Sequence, residues 1–293
     1  MAREIILAEP HGFCSGVRHA LDVAREAVET SARPVYCLHE IVHNSLIVES
    51  WAASGMVFVK DLAEVPDGGT VLFSAHGVAP AVRRAAEARD LTVVDATCVF
   101  VKLVHEAVRR HAAEGRHVLL VGNRDHDEVV GVAGEAPGAV TVVETVADAE
   151  AVAVPDPERV ALATQTTLAA YQVRPIVEVL QRRFPALRIP DKSGICAATT
   201  VRQKAVRKVA QTCPLVLVLG SRNSANSNRL VDVARAAGAR AELMPDIPSL
   251  RAFIASDGLG NAARVGVSAG ASTPEPVVRE ALDLLRGLGA DHA

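Results

Sequence analysis

Aromatic residues and surplus basic charge are both scarce in this chain of 293 residues. Phe, Tyr and Trp number six, two and one, so Ala, Val and Leu must fill most of the core, which favours closely packed helices on short strands. Lys and Arg together number 31 against 34 Asp and Glu, a net charge of −3. This balance argues against a general polyanion binder such as a nucleic-acid protein, although local donors could still hold a small anion.

Long apolar segments and paired cysteine motifs are also lacking. The longest apolar runs, such as 215–219, fall far short of the roughly 20 residues that cross a bilayer. No basic leader or cleavage signal precedes the strand-like run at Ile5. We therefore expect a soluble, cytoplasmic protein that does not enter a membrane. Its five cysteines are odd in number and none forms a Cys-x-x-Cys pair, so in a reducing compartment metal binding is a better explanation than disulfides.

Three of the cysteines share one local setting. Cys14, Cys98 and Cys196 lie 84 and 98 residues apart, and each follows a short apolar strand and opens a helix. The same unit is therefore used three times, and we predict α/β repeats at 14–97, 98–195 and 196–293. A leading strand within 1–13 would contribute to the central assembly.

Short apolar runs predict strands that include 5–9, 34–38, 70–73, 117–121, 160–163, 187–189, 214–219 and 264–267. Turns are expected from Gly131 to Gly138, and Pro274 is expected to start the last helix. The strands alternate with helices, which predicts parallel sheets with helices on both faces. In such sheets ligands bind beyond the carboxyl ends of the strands, where the three cysteines and the polar loops fall. Three similar small α/β domains around one axis would bring these loops to a single central site.

Converging cysteines at helix starts favour the thiolate, and thiolates select zinc or an iron–sulfur cluster. Zinc would want a nearby fourth ligand, and the spacing does not resemble a zinc-finger framework. A cubane cluster normally takes four cysteines, so three leave one iron open for reaction. Cys37, inside a predicted strand, and Cys213, just before one, lack the shared setting and are interpreted as structural.

Neutral or weakly basic donors follow several predicted strands. They suit a phosphate or diphosphate without a basic surface. Glu128 is the one acid that the pattern puts beside them, and a carboxyl in a partly desolvated site can hold and deliver a proton at neutral pH. The donors are His43, His76, His126, Thr166, Ser224, Asn226 and Ser272.

Ordered motifs along almost the whole chain resemble one family, the 4-hydroxy-3-methylbut-2-enyl diphosphate reductases, which complete the methylerythritol phosphate route to isoprenoids. The matching segments are Gly12-Phe13-Cys14, His39-Glu40-Ile41-Val42-His43-Asn44, Phe73-Ser74-Ala75-His76-Gly77-Val78, Asp95-Ala96-Thr97-Cys98, His126 with Glu128, Thr164-Gln165-Thr166-Thr167, Cys196-Ala197-Ala198-Thr199-Thr200, Asn223-Ser224, Asn226-Ser227-Asn228-Arg229-Leu230 and Ala269-Gly270-Ala271-Ser272.

The resemblance implies a trefoil of three α/β domains around a 4Fe-4S cluster held by Cys14, Cys98 and Cys196. It implies that the substrate hydroxyl binds the open iron near Thr166, that Glu128 supplies the proton for its loss as water, and that ferredoxin or flavodoxin delivers two electrons. The products would be isopentenyl and dimethylallyl diphosphate. The implied catalytic residues are Glu128, Thr166 and His126, and Thr166 is also an implied substrate-binding residue. The implied diphosphate ligands are His43, His76, His126, Ser224, Asn226 and Ser272.

The chain departs from the family pattern near the implied substrate. The family usually has Gly-His-x-Gly-His-Pro-Glu where this chain has 122–128, Gly-Asn-Arg-Asp-His-Asp-Glu. Ala225 replaces a serine, and losing one donor to a charged group costs about 1.5–3 kcal/mol. Val99 replaces a proline and His11 an arginine. Two alternatives therefore accompany the reductase: a diverged paralogue that keeps the cluster as a sensor or binding protein, and a zinc enzyme that uses the same thiolates for hydrolysis.

Overall fold

The computed structural model describes residues 3–31, 34–190 and 194–287. Met1 and Ala2 of the predicted leading segment, and residues 288–293 of the predicted third repeat, lie outside the described residues. The strands are β1 (Glu4–Leu7), β2 (Val35–Leu38), β3 (Met56–Val59), β4 (Thr70–Phe73), β5 (Thr92–Asp95), β6 (His117–Val121), β7 (Val140–Val143), β8 (Val160–Thr164), β9 (Leu215–Leu219), β10 (Arg240–Met244) and β11 (Arg264–Ala269).

Helices alternate with these strands. They are α1 (Ser15–Thr30), α2 (Ser45–Ala53), α3 (Pro80–Glu87), α4 (Val99–Ala113), α5 (Asp127–Ala133), α6 (Val146–Ala151), α7 (Ala170–Arg183), α8 (Ala197–Ala210), α9 (Ala225–Ala236), α10 (Ile247–Ala255) and α11 (Glu275–Gly287), with a short 3-10 helix at Leu62–Glu64.

The strands form three sheets, and every pairing between them is parallel. The sheet orders are β3-β2-β4-β5, β7-β6-β8 and β10-β9-β11-β1. In the second sheet Arg188 makes a single parallel bridge to Ala161 of β8, at the position that β5 and β1 occupy in the other two. The predicted α/β class with several parallel sheets is therefore confirmed.

Strand β6 shows why helices cover both faces of a sheet. Its side chains alternate, so Leu119 and Val121 pack with α7 while Val118 and Leu120 pack with α4 and α5. Since both faces are buried, the strand is a continuous apolar run rather than an alternating one. The same reasoning applies to β9, whose five residues are all buried.

Helix α1 has the pattern expected for a helix with one buried side. Val17, Ala20, Leu21, Ala24 and Val28 are buried, and they recur at the three- and four-residue spacing of one helix face. The small side chains on this face let the helix approach closely, as the shortage of aromatic residues led us to expect.

Several predictions about individual elements were incomplete. Strands β3, β7 and β10 were not foreseen, and the predicted strand at 187–189 is reduced to the bridge at Arg188. The three unforeseen strands are each the last strand at one edge of a sheet, and each keeps partly exposed residues. Partial exposure weakens the apolar signal that identifies buried strands.

The expectations for Gly131 and Pro274 were also wrong in detail. Gly131 was expected to mark a turn but lies inside α5, where a Cβ would come within 3.4 Å of the Gly77 carbonyl oxygen. At that distance a Cβ would make ordinary van der Waals contact, so this helical position has room for a small side chain. Pro274 directly precedes the last helix instead of occupying its first position, since α11 begins at Glu275.

The described chain divides into two compact units. Of the described residues, unit 1 comprises 3–15, 43–47 and 197–287 and holds the sheet of β9, β10, β11 and β1. Unit 2 comprises 16–31, 34–42, 48–190 and 194–196 and holds the other two sheets. The division into three repeats stays a prediction.

Among the described residues, none of the helices combines the length and the apolar character needed to cross a membrane.

Candidate active site

The three cysteines occupy equivalent positions. Cys98 is the N-cap residue of α4, while Cys14 and Cys196 directly precede α1 and α8. All three side chains are half-buried. Each thiol therefore lies at a helix amino terminus, where the helix dipole favours negative charge.

Their backbone hydrogen bonds are equivalent as well. The amide of Cys14 donates to the Ala271 carbonyl (3.3 Å), that of Cys98 to Ala75 (3.0 Å) and that of Cys196 to Thr166 (2.9 Å). Each accepting residue is the second after the end of a strand, β11, β4 or β8 respectively. Each cysteine is thus held beside the loop that leaves the carboxyl end of a strand in its own unit.

Glycines two residues before Cys14 and Cys196 shape the approach to the helix. Gly12 and Gly194 have left-handed φ values of 61° and 63°. A Cβ on Gly194 would lie only 2.2 Å from Thr164 Oγ1, so this turn has no room for a side chain. Arg202 of α8, buried in unit 1, donates from Nε (3.1 Å) and Nη2 (2.7 Å) to the Gly12 carbonyl and so supports the segment before Cys14.

The remaining two cysteines differ from these three. Cys37 lies inside β2 and Cys213 just before β9, and both are buried. Burial raises the pKa of each thiol, because the apolar surroundings disfavour the thiolate. A buried thiol that stays protonated is a poor metal ligand, in keeping with the structural role expected for both.

Glu128 and Thr166 form a buried pair in unit 2. Glu128 lies in the first turn of α5 and is 2% exposed. Its Oε1 accepts the Thr166 backbone N–H (2.7 Å) and its Oε2 accepts the Thr166 hydroxyl (2.9 Å). Two predicted catalytic residues are thereby brought together, and the hydroxyl of Thr166 is oriented by the carboxyl group.

The rings of His76 and His126 lie close together in the same unit. Their centroids are 5.7 Å apart and their planes are perpendicular. His126 is the N-cap of α5, and its Nδ1 accepts the Glu128 backbone N–H (3.2 Å). A neutral His126 must therefore carry its proton on Nε2. His76 Nδ1 lies 3.2 Å from the Ser74 hydroxyl, so Nε2 of His76 can also be a donor.

Unit 1 carries polar side chains at the amino terminus of α9. Ser224 is the N-cap, and its hydroxyl accepts from Ser227 N (3.2 Å) and Ser227 Oγ (3.0 Å). Asn226, 7% exposed, has neither side-chain polar atom in a hydrogen bond within the described structure. Buried amide groups are almost always paired, so an external ligand is the natural partner for this one.

His43 and Ser272 meet in unit 1. The Ser272 hydroxyl donates to the His43 carbonyl oxygen (3.0 Å), and Ser272 is buried. The side-chain oxygen of the next residue, Asn44, caps the start of α2 by accepting from Ile47 N (3.3 Å). Two of the predicted substrate residues are therefore in contact within unit 1.

The altered loop before Glu128 contains a contact that sequence reasoning missed. Asp127 Oδ1 lies 2.6 Å from His39 Nδ1, and this contact raises the pKa of His39 chiefly through the hydrogen bond. Asp127 stands where the family usually has proline. His39 belongs to a motif already noted in the sequence. Its contact with Asp127, 88 positions away, could not be predicted from the sequence.

Curated proteins are similar to this chain over nearly its whole length. A curated 4-hydroxy-3-methylbut-2-enyl diphosphate reductase of Phenylobacterium zucineum is 48% identical over 282 residues, covering 96% of this chain and 88% of the relative. The enzyme of the same name from Ralstonia nicotianae is 45% identical over 287 residues, covering 98% and 87%.

Two solved structures are also similar to this chain. The reductase of Plasmodium falciparum, described as E-1-hydroxy-2-methyl-but-2-enyl-4-diphosphate reductase, has a TM-score of 0.92 at 34% identity, over 97% of this chain and 88% of that one. A second, described as (E)-4-hydroxy-3-methyl-but-2-enyl diphosphate reductase, the terminal enzyme of the non-mevalonate pathway, has a TM-score of 0.69 at 33% identity, over 97% and 99%. Residues 5–286 match the family described as LytB protein. The chain therefore belongs to the LytB protein family.

Proposed function

We propose that this protein is a reductase that removes the hydroxyl group of 4-hydroxy-3-methylbut-2-enyl diphosphate and releases isopentenyl and dimethylallyl diphosphate. The buried Glu128–Thr166 pair is the observation that carries the proposal, since it joins an acid to an oriented hydroxyl. The names of relatives at 43–48% identity support the reaction. The diverged paralogue is not favoured, because these relatives share one name over nearly their full length.

We infer that Cys14, Cys98 and Cys196 hold a 4Fe-4S cluster. The donor set fits: three half-buried cysteines start helices in equivalent surroundings, whereas Cys37 and Cys213 are buried as protonated thiols. With only three thiolate ligands, the bound cluster would supply electron transfer and one open iron for the substrate hydroxyl. An Fe–S cluster suits a reductase better than zinc, which has no redox chemistry.

The reaction consumes two electrons and two protons: the carbon–oxygen bond breaks, the hydroxyl leaves as water and the allylic carbon gains a hydrogen. Ferredoxin or flavodoxin would deliver the electrons one at a time. Glu128 would supply the proton that lets the hydroxyl leave, with the Thr166 hydroxyl as its hydrogen-bonded neighbour. Glu128 is 2% exposed, so its carboxyl group lies away from bulk water.

The diphosphate would be held by donors from several strand ends. His126 offers Nε2–H because its Nδ1 is already an acceptor, and Asn226 offers an amide without an internal partner. His43, His76, Ser224 and Ser272 would add further polar contacts to phosphate oxygens without a surplus of formal positive charge. Ser224 and Asn226 add the amino terminus of α9, a further favourable place for an anion.

Anaerobic purification followed by a turnover assay tests the proposal. We expect a brown protein with iron and sulfide that, after reduction, converts hydroxymethylbutenyl diphosphate into the two products. A colourless protein with zinc and no sulfide would contradict the cluster and favour hydrolysis. A cluster-loaded protein that neither binds nor reduces the substrate would contradict the reductase.

A further inference from the structure

The turn that carries His76 is wedged between two helices of unit 2. Gly77 has a left-handed φ of 76°, and a Cβ there would lie 3.0 Å from Nε2 of His105 on α4. On the other side, a Cβ on Gly131 of α5 would lie 3.4 Å from the Gly77 carbonyl oxygen. A Cβ on Gly134, just after α5, would come within 2.4 Å of the Ala79 side chain. The turn therefore fits closely against both helices.

A buried pair of side chains joins those helices. His105 Nδ1 of α4 lies 2.6 Å from Oε1 of Glu135, which follows the end of α5. The two side chains are 8% and 4% exposed. Arg109, one turn further along α4, reaches the other carboxylate oxygen at 3.6 Å. Burial lowers the pKa of His105 in spite of Glu135, so a neutral ring donates Nδ1–H to the carboxylate.

The joined helices carry site residues at their amino termini. Cys98 caps α4, and His126 caps α5 with Glu128 in the first turn. The pair lies at the far end of α5, where it sets how closely this helix approaches α4 with the His76 turn between them. A buried hydrogen bond to a carboxylate fixes one arrangement of packed elements, because a shifted helix would leave the carboxylate buried without its partner.

We propose that His105 and Glu135 are positioning residues for diphosphate binding, which hold the His76 turn between α4 and α5 so that His76 and His126 meet the same phosphate group. Neither side chain would touch the substrate. The inference rests on the proposed function, since it assigns His76 and His126 to the diphosphate.

Inorganic diphosphate is the probe for this role, and its dissociation constant is measured by calorimetry on cluster-loaded protein. For Glu135→Ala we expect the dissociation constant and the KM for substrate to rise about tenfold or more, with a smaller change in kcat, because displaced donors lose their geometry. Glu135→Gln keeps an acceptor for Nδ1–H and should restore most of the affinity. Iron and sulfide content should stay at the wild-type level in both variants.

Glu178→Ala is the matched control, because Glu178 pairs with Arg174 on the exposed face of α7, and this variant should leave every value unchanged. If Glu135→Ala fails to fold, His105→Asn is measured instead: its amide can still donate to Glu135 but no longer packs on Gly77, and we expect a severalfold weaker affinity for diphosphate. Unchanged affinity in the folded variant overturns the inference, and so does an equal loss in Glu135→Ala and Glu135→Gln. A wild-type protein that binds no diphosphate would instead remove the proposed function itself.

Discussion

Glu128 accepts both hydrogen bonds that Thr166 can donate, from its backbone N–H at 2.7 Å and its hydroxyl at 2.9 Å. The two residues lie 38 positions apart, one in the first turn of α5 and the other beyond the end of β8. The pair is buried, so the acid and its neighbouring hydroxyl have one fixed relative geometry. This relationship holds the proposed proton donor beside the Thr166 hydroxyl.

Replacing Glu128 by Gln should abolish most turnover while the fold persists. The amide keeps an oxygen that can accept the Thr166 N–H, but it has no acidic proton to give. General acid catalysis contributes about 10²–10⁴-fold, so we expect kcat to fall by about that factor. Single-turnover reduction by cluster-loaded protein measures the loss, and Glu178→Gln, on the exposed face of α7, is the control. Undiminished kcat would remove Glu128 from the role of proton donor.

Cysteine substitutions should divide the five thiols into two groups. Cys98→Ser exchanges a thiolate for a hydroxyl at the N-cap of α4, and we expect loss of most iron and sulfide. Removal of an outer partner of a metal site lowers metal affinity or activity about 10–100-fold. The loss of activity in Cys98→Ser should be larger than this. The Cys213→Ala variant loses a buried thiol beside Thr212 and should keep the iron and sulfide content of the wild type. Elemental analysis after anaerobic purification compares them, and equal iron in both variants would contradict the assignment.

The His39–Asp127 contact predicts a pH-dependent contribution to stability. Asp127 raises the pKa of His39 above its ordinary 6.5, so protonated His39 is favoured in the folded protein. The contribution should be complete below about pH 6.5 and lost as pH rises through the higher folded-state pKa. Because His39 is half exposed, its size should not exceed about 1 kcal/mol.

Urea unfolding between pH 5.5 and 8.5 measures this contribution to stability. These limits lie about one pH unit or more on either side of the ordinary histidine pKa. The midpoint should fall less over this range in Asp127→Asn than in the wild type. Asp125→Asn, at a neighbouring exposed carboxylate, is the matched control and should follow the wild type. Identical slopes for the wild type and Asp127→Asn would show that the contact contributes nothing.

Restoring a hydroxyl at position 225 should strengthen diphosphate binding. Ala225 is the first residue of α9, beside the N-cap Ser224 and the unpaired amide of Asn226. A hydrogen bond to a charged group contributes about 1.5–3 kcal/mol, so Ala225→Ser should lower the KM for substrate about tenfold or more. Ala236→Ser, at the other end of the same helix, is the control. An unchanged KM in Ala225→Ser would mean that the diphosphate lies elsewhere.

Much of the fold could be predicted from the sequence, because buried parallel strands are short apolar runs. The core strands β4, β6, β8, β9 and β11 were all predicted near their observed positions. The edge strands β3, β7 and β10 escaped because part of each faces solvent and dilutes the apolar pattern. Val140–Val143 still offered a usable signal in its three valines and one threonine, which favour strands.

The sequence alone determined the class of fold, the three equivalent cysteines and the polar residues after the strands, because these depend on local periodicity and on residue type. It could not reveal which side chains pair. Only the tertiary structure decided that Thr166 donates twice to Glu128, that His105 meets Glu135 beneath Gly77, and that Asp127 holds His39. Such pairs join residues 30 to 88 positions apart, and their geometry depends on how sheets and helices pack.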